Sequence, residues 1–166
     1  MKNIAIIYGS STGNTKDVAD KIAKKLSGND VFVADVSNVK LDELSKYSNF
    51  ILGTSTWGLG DLQDDWDSAL QDFAKIDLNG KTVAFFGLGD SASYPDTFVD
   101  GMGILYESLK DKGCKLTGSV PTDGYTYDYS KAVVDNNFVG VALDVDNEDN
   151  LTDGRLDAWI ASLNLE

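Results

Sequence analysis

Tyr8-Gly9-Ser10-Ser11-Thr12-Gly13-Asn14-Thr15 stands between an apolar run, Lys2–Tyr8, and a segment, Asn14–Ser27, in which Val18, Ala19, Ile22, Ala23 and Leu26 recur at helical spacing. The pattern predicts a strand, a tight turn and a helix. Hydroxyls from Ser10, Ser11, Thr12 and Thr15, with the Asn14 amide, crowd a turn freed by Gly9 and Gly13. A helix N-terminus leaves backbone N–H groups without partners at that spot, so an anion is favoured there. The stretch contains no Lys or Arg, and a phosphate would be held by neutral donors and the helix dipole. That suits a small phosphomonoester better than a triphosphate. The spelling matches neither G-x-x-x-x-G-K-[ST] nor G-x-G-x-x-G. Taken alone, the stretch can also be read, less favourably, as a plain capped turn.

The same alternation repeats downstream. Val31–Val36 reads as a second strand, Leu41–Lys46 as a short helix, and Phe50–Gly53 as the core of a third strand that ends in Thr54-Ser55-Thr56-Trp57-Gly58-Leu59-Gly60. A helix with Trp66, Ala69, Leu70 and Phe73 on one face follows. Thr82–Gly87 is a fourth strand opening into Leu88-Gly89-Asp90-Ser91-Ala92-Ser93-Tyr94-Pro95, and a helix near Thr97–Lys112 would bury Phe98, Leu105 and Leu109. The fifth strand reads as split, with Lys115–Val120 and Phe138–Leu143 as its pieces and a polar, tyrosine-rich insertion at about 121–137 between them. A last helix begins at Thr152, read as its N-cap, with Leu151 and Leu156 at the spacing of a hydrophobic staple. Its buried face is Leu156, Trp159, Ile160 and Leu163.

Strands that are apolar throughout, alternating with helices, imply a parallel sheet covered on both faces. The expected fold class is α/β, doubly wound, with five parallel strands in the order 2-1-3-4-5. Ligands in such sheets sit beyond the carboxyl ends of the strands where the order reverses. The loops after strands one, three and four would therefore converge.

Composition narrows the chemistry. A length of 166 residues without repeats or Pro/Ser-rich linkers suits one domain, and the N-terminal MKNIAIIYGSS has neither the charge pattern of a signal peptide nor the length of a membrane span. A cytoplasmic protein is expected. There is no His and one Cys, Cys114, which removes the commonest general base and any CxxC pair. Cys114 reads as a buried, inert thiol. Electron or group transfer would need a bound cofactor. The formal charge of −13 makes nucleic acid and anionic membranes poor partners and favours basic protein surfaces. Asp144-Val145-Asp146-Asn147-Glu148-Asp149 has an Asp where a calcium loop needs Gly and Arg155 where it needs Glu, so it reads as a solvated acidic loop. No metal site is expected.

At the expected strand ends, the hydroxyl loop, Trp57 in a Gly-rich turn and Tyr94 beside Asp90 suit a flat phosphorylated ligand. A planar ring stacked on both faces gains about 0.5–1.5 kcal/mol per aromatic pair beyond burial. In these motifs, Gly9 to Thr15, Thr56 to Gly60, and Gly89-Asp90 with Tyr94, the chain resembles the long-chain flavodoxins, from the first strand to the last helix. The resemblance implies one FMN-binding domain over residues 1–166. Ser10, Ser11, Thr12, Gly13, Asn14 and Thr15 would hold the phosphate. Trp57 and Tyr94 would sandwich the isoalloxazine, and Thr54, Ser55, Thr56, Gly58, Leu59, Gly60, Leu88, Gly89, Asp90, Asp96 and Phe98 would complete the ring pocket. Asp146 would approach the ribityl chain. Leu88 and Val99 are apolar where some members carry polar groups, so side-chain hydrogen bonds do not transfer to those places.

The implied function is that of a low-potential one-electron carrier, a monomer shuttling between semiquinone and hydroquinone from a reductase to acceptor enzymes. Gly58 lacks a Cβ, so its peptide could turn a carbonyl toward a reduced ring at low cost. Asp61, Asp64, Asp65, Asp67, Asp90, Asp96 and Asp100 would oppose a second negative charge and steer basic partners. Two other functions compete. A signalling receiver needs an Asp ending strand three, where Gly53-Thr54-Ser55 stands; a flavin reductase needs an open ring face. Tyr125, Tyr127 and Tyr129 in the insertion are expected to pack against the sheet edge.

Overall fold

The structure, a computed structural model, describes residues 1–166. Strand β1 (Asn3–Gly9) runs into helix α1 (Asn14–Lys25), and β2 (Asp30–Asp35) returns beside it. After a short 3-10 helix at Leu41–Lys46 come β3 (Asn49–Trp57), the two-residue β4 (Asp61–Leu62), α2 (Asp64–Phe73), β5 (Thr82–Leu88) and α3 (Asp100–Leu109). The main sheet has the order β2-β1-β3-β5, all parallel, which is the expected winding. Register is tight at the carboxyl ends: Gly9 lies opposite Thr54, and Thr54 opposite Gly87. The loops after β1, β3 and β5 therefore start side by side.

Why the strands read as apolar throughout is visible in the packing. Along β1, Ala5 and Ile7 enter one core with Phe50, Leu52, Phe85, Trp66 and Phe73, whereas Ile4, Ile6 and Tyr8 enter the other with Ile51, Ala84, Phe86 and α1. Successive side chains point to opposite faces, and both faces are covered. Helices α2 and α3 cover the first face.

The fifth position of the sheet is shared. β6 (Lys115–Leu116) pairs with the start of β5, and β10 (Val141–Leu143) pairs with its end. Between them β7 (Val120–Pro121), β8 (Val133–Val134) and β9 (Asn137–Phe138) form a separate antiparallel sheet in the order β7-β9-β8. The split is as expected, but the pieces are shorter: Val120 and Phe138 pair with each other instead of with β5. Gly118 explains the departure, because its left-handed φ of 89° turns the chain off the main sheet while its carbonyl accepts the Trp159 indole N–H at 2.9 Å.

The chain closes through α4 (Val145–Glu148), a 3-10 turn at Asp149–Leu151 and α5 (Thr152–Ser162). With α1, α5 covers the second face, through Leu156 and Trp159. Thr152 lies inside α5 and makes no capping hydrogen bond, and Leu151 is exposed, so the expected cap and staple are absent. The preceding 3-10 turn runs directly into the helix and takes over the role of a cap. At the amino ends of the strands, the buried Asn49 amide donates to the Asn3 and Glu166 carbonyls, and its oxygen accepts the Glu166 N–H at 2.8 Å. The Lys2 ammonium donates to the Leu165 carbonyl beside it. No helix is long and apolar enough to cross a membrane.

Candidate functional site

Helix α1 begins without a capping side chain. Its N-cap is Gly13 at φ 98°, and Ser10 Oγ accepts the Gly13 N–H at 3.1 Å rather than a first-turn N–H. The first-turn donors are left facing outward, the arrangement that binds anions. Thr12, Asn14 and Thr15 line the same end of a cleft of about 390 Å³, within the range of small-molecule sites. Ser55, Thr56, Trp57 and Gly58 line it from the end of β3, Leu88, Gly89, Asp90 and Tyr94 from the end of β5, and Val145 and Asp146 from α4.

Two aromatic rings stand in the open here: Trp57 is 40% and Tyr94 47% exposed, although most large apolar side chains of the protein are buried. The indole is held in place, since Trp57 Nε1 donates to Ser55 Oγ at 2.7 Å. Gly58 has φ 54° and the Trp57 carbonyl accepts the Gly60 N–H at 3.2 Å, so a tight turn projects from the end of β3. The other loop is closed by the Tyr94 N–H donating to the Asp90 carbonyl at 2.8 Å.

Asp90 is tied down as well. Its Oδ1 accepts the Ser93 N–H at 3.0 Å and the Asn147 amide at 2.9 Å, and these bonds, Asn147 foremost, hold its carboxyl below the usual range. The same Asn147 amide donates to Asp144 at 2.8 Å. Partial burial, then the Asp90 and Asp144 charges, push the Asp146 carboxyl up. In the segment 144–149, Asp146, Asn147 and Asp149 are exposed as the sequence suggests, with 145–148 wound into the short helix α4; Asp144 departs from that reading, being buried and accepting from Ser91. Its place between the β10 end and α4 packs it under the Asp90 loop. No group of acidic side chains in the protein is arranged to hold a metal ion.

Of the site residues expected from sequence, Thr12, Asn14, Thr15, Ser55, Thr56, Trp57, Gly58, Leu88, Gly89, Asp90, Tyr94 and Asp146 come together in this cleft. Ser10, Ser11 and Gly13 form the turn behind it. Thr54 is buried with its hydroxyl on the Ser55 carbonyl, and Leu59 stands 86% exposed outside the cleft beside the turn. Gly60 is packed against Asp100, and Asp96 is exposed beyond Tyr94. Phe98 is misassigned as a ring contact: it is 1% exposed and its ring lies in a cluster with Tyr125, Tyr127 and Phe138. Those two tyrosines pack as expected, whereas Tyr129 is exposed. Asp100 is likewise no part of an acidic rim, being 1% exposed. Cys114 is half-buried, its thiol pushed up by burial.

Two participants escaped the sequence. Val145 lines the cleft but sits among acidic residues, where an isolated apolar side chain gives no periodic signal. Gln63 caps α2 through Oε1, which accepts the Asp65 and Trp66 N–H groups, while its amide donates to Ser11 Oγ at 3.1 Å. Gln is not among the residues that favour an N-cap, so nothing in the sequence marked it. Clefts of about 290 and 420 Å³ flank the insertion but receive no helix N-terminus from a polar loop.

The cleft thus offers neutral donors at one end, two exposed rings along it and no Lys or Arg in its lining, which fits a flat ligand with one terminal phosphate. Comparison with known proteins agrees. Residues 6–159 match the Flavodoxin family model. The chain is 43% identical over 164 residues to a flavodoxin of Synechocystis, covering 98% of this chain and 96% of that one. It is 46% identical over 170 residues to flavodoxin 1 of Azotobacter vinelandii, covering 100% and 98%. The crystal structure of a Fusobacterium nucleatum flavodoxin bound to flavin mononucleotide superposes with a TM-score of 0.91 at 34% identity, over 97% of this chain and 96% of that one. Matched from β1 into α5, and nearly end to end by these relatives, the chain belongs to the flavodoxin family.

Proposed function

We propose that the protein is a diffusible cytoplasmic one-electron carrier, not an enzyme in the usual sense, that holds FMN non-covalently in the cleft between Trp57 and Tyr94. The observation that carries this reading is the uncapped α1 N-terminus opening into the same cleft as two exposed aromatic rings. When bound, FMN supplies two successive one-electron steps. The chain's own residues anchor, flank and bias it. Thr12, Asn14, Thr15 and the free N–H groups of α1 would take the phosphate as charge-assisted hydrogen bonds. Trp57, fixed through Ser55, and Tyr94 would flank the ring and keep bulky substrates off its faces. That cover disfavours the reductase reading, which needs an open face.

Anchoring and electron control are separate tasks in this arrangement. Thr12→Ala is expected to weaken FMN binding about ten-fold, the worth of one charge-assisted hydrogen bond, while moving neither reduction potential by more than about 20 mV. Fluorescence titration of the apoprotein with FMN, alongside potentiometry, checks both halves.

Gly58 bears on the first step. Its left-handed φ of 54° is open to glycine at no cost, and an added Cβ would lie 3.1 Å from Asp61 Oδ2. An Ala there is strained by about 1 kcal/mol and resists reorienting the carbonyl toward the ring. The expected result for Gly58→Ala is a first potential shifted by roughly 40 mV, with FMN affinity changed less than three-fold. An unchanged first potential would show that this peptide plays no part.

The donor and acceptors we infer are redox proteins with basic docking surfaces. Exposed Asp61, Asp64, Asp67 and Asp96 surround the turn from which Leu59 projects, and the net charge is −13. Stepwise reduction of the purified protein, followed by its visible spectrum, tests the function. Two resolved one-electron steps with FMN bound support the carrier; a single two-electron step with NAD(P)H turnover supports the reductase; no uptake of FMN overturns both.

A further inference from the structure

Asp100 opens α3 with a carboxylate that is almost wholly buried and has no ion-pair partner. It sits where three segments meet. Its Oδ1 accepts the Lys131 N–H at 2.8 Å, from the insertion. Its Oδ2 lies so close to Gly60 that a Cβ there would stand 2.7 Å away, from the turn that carries Trp57. Its own segment descends directly from Tyr94, with the left-handed Val99 at φ 49° immediately before it. The neighbouring bonds run the same way: Gly101 N–H donates to Thr56 Oγ1 at 2.9 Å, Ser130 Oγ to the Phe98 carbonyl, and the Asp128 and Tyr129 N–H groups to the Pro95 carbonyl.

We propose that Asp100 is a positioning residue, whose buried carboxylate locks the Trp57 turn and the insertion onto the start of α3 and so fixes the spacing of the two ring-flanking loops. The proposal rests on the reading of the cleft as an FMN site. An Asn would present the same oxygen to Lys131; what distinguishes Asp is its charge, which burial makes unfavourable and pushes the carboxyl up. The charged group acting on it from the insertion is the exposed Lys131 ammonium; Gly60 and Thr97, which face it from the turn and its own segment, are uncharged. A carboxyl with a raised folded pKa binds more protons folded than unfolded. Stability therefore falls as pH rises from the ordinary value of 3.8 through the folded one, and the penalty persists above it.

Two variants in the full chain separate clamp from charge. Asp100→Ala is expected to weaken FMN binding about ten-fold and to shift the visible spectrum of the bound flavin, because the loops lose their common anchor. Asp100→Asn should bind FMN within three-fold of the parent, and its apoprotein should unfold at a higher temperature at neutral pH, with a shallower decline above pH 4. Asp100→Ala apoprotein that is folded by circular dichroism and binds FMN like the parent overturns the proposal, as does equal loss of binding in both variants. The pH dependence of apoprotein melting is read without FMN: a steeper decline in the parent than in Asp100→Asn supports the buried charge even if FMN does not bind, and identical profiles refute it.

Discussion

Trp66→Ala is expected to lower the unfolding free energy of the apoprotein by about 3–5 kcal/mol, the range for removing a large aromatic from a core. Trp66 is wholly buried, meets the Phe73 ring edge-on with centroids 5.2 Å apart, and donates its indole N–H to the Gly53 carbonyl at 2.8 Å. The substitution leaves a cavity and an unpaired carbonyl together, and the second adds a desolvation cost. With total stabilities near 5–15 kcal/mol, much of the folded population would go. At about 2–4 °C per kcal/mol for a chain of this size, the thermal midpoint should fall by roughly 10–15 °C. Trp66→Phe retains most of the volume and should lose less than half as much. The site is affected too, because Trp66 backs the first loop: a Cβ at Gly9 would lie 2.6 Å from its Cδ1. Urea unfolding of the three apoproteins checks the order, and a midpoint unchanged in Trp66→Ala would refute the packing account.

The second large effect is electrostatic. Asp61, Asp64, Asp67, Asp96 and Asp146 are exposed, and replacing all five with Asn leaves the loops' internal bonds intact. Asp65 and Asp90 are excluded because they hold Gln63 and Asn147, and Asp100 because it is buried. A carboxylate ~15 Å from a developing negative charge opposes it by roughly 0.3 kcal/mol in bulk water and about 1 kcal/mol at an effective dielectric near 20. Screening at ~0.15 M salt lowers both figures. With about 59 mV for each 1.4 kcal/mol in a one-electron step, the five together should raise the second reduction potential by roughly 50–150 mV. The first step should move less if it takes up a proton with its electron and leaves the net charge unchanged. Spectroelectrochemical titration at low and high salt checks the size and the screening. A second potential that stays put at low salt would mean that the local packing, not the acidic rim, sets it. The same variant should lose the salt dependence of its electron transfer to a basic partner.

How far the sequence reaches follows from what packing does to a pattern. β1, β3 and β5 bury both faces, so Ile4 to Tyr8, Phe50 to Leu52 and Thr82 to Leu88 read as unbroken strands of a parallel sheet, whose order the resemblance to flavodoxins supplied. The cleft was legible where its chemistry lies on loops at strand ends, as with Thr12, Trp57 and Tyr94. The insertion was not: strands of two residues carry no period, and Val120 and Phe138 are apolar whichever partner they find. Asp100 looks like its exposed neighbour Asp96, because burial comes from segments 31 and 40 residues away in the chain, at Lys131 and Gly60. Phe98 failed for the same reason, since its partners lie in the insertion.

The grip of Asn49 on Glu166, and of Lys2 on the Leu165 carbonyl, has a practical side. Both lie at the amino ends of the strands, a full strand length from Trp57 and Tyr94. A surface linker or a fused electrode-binding peptide attached there would leave the cleft facing outward.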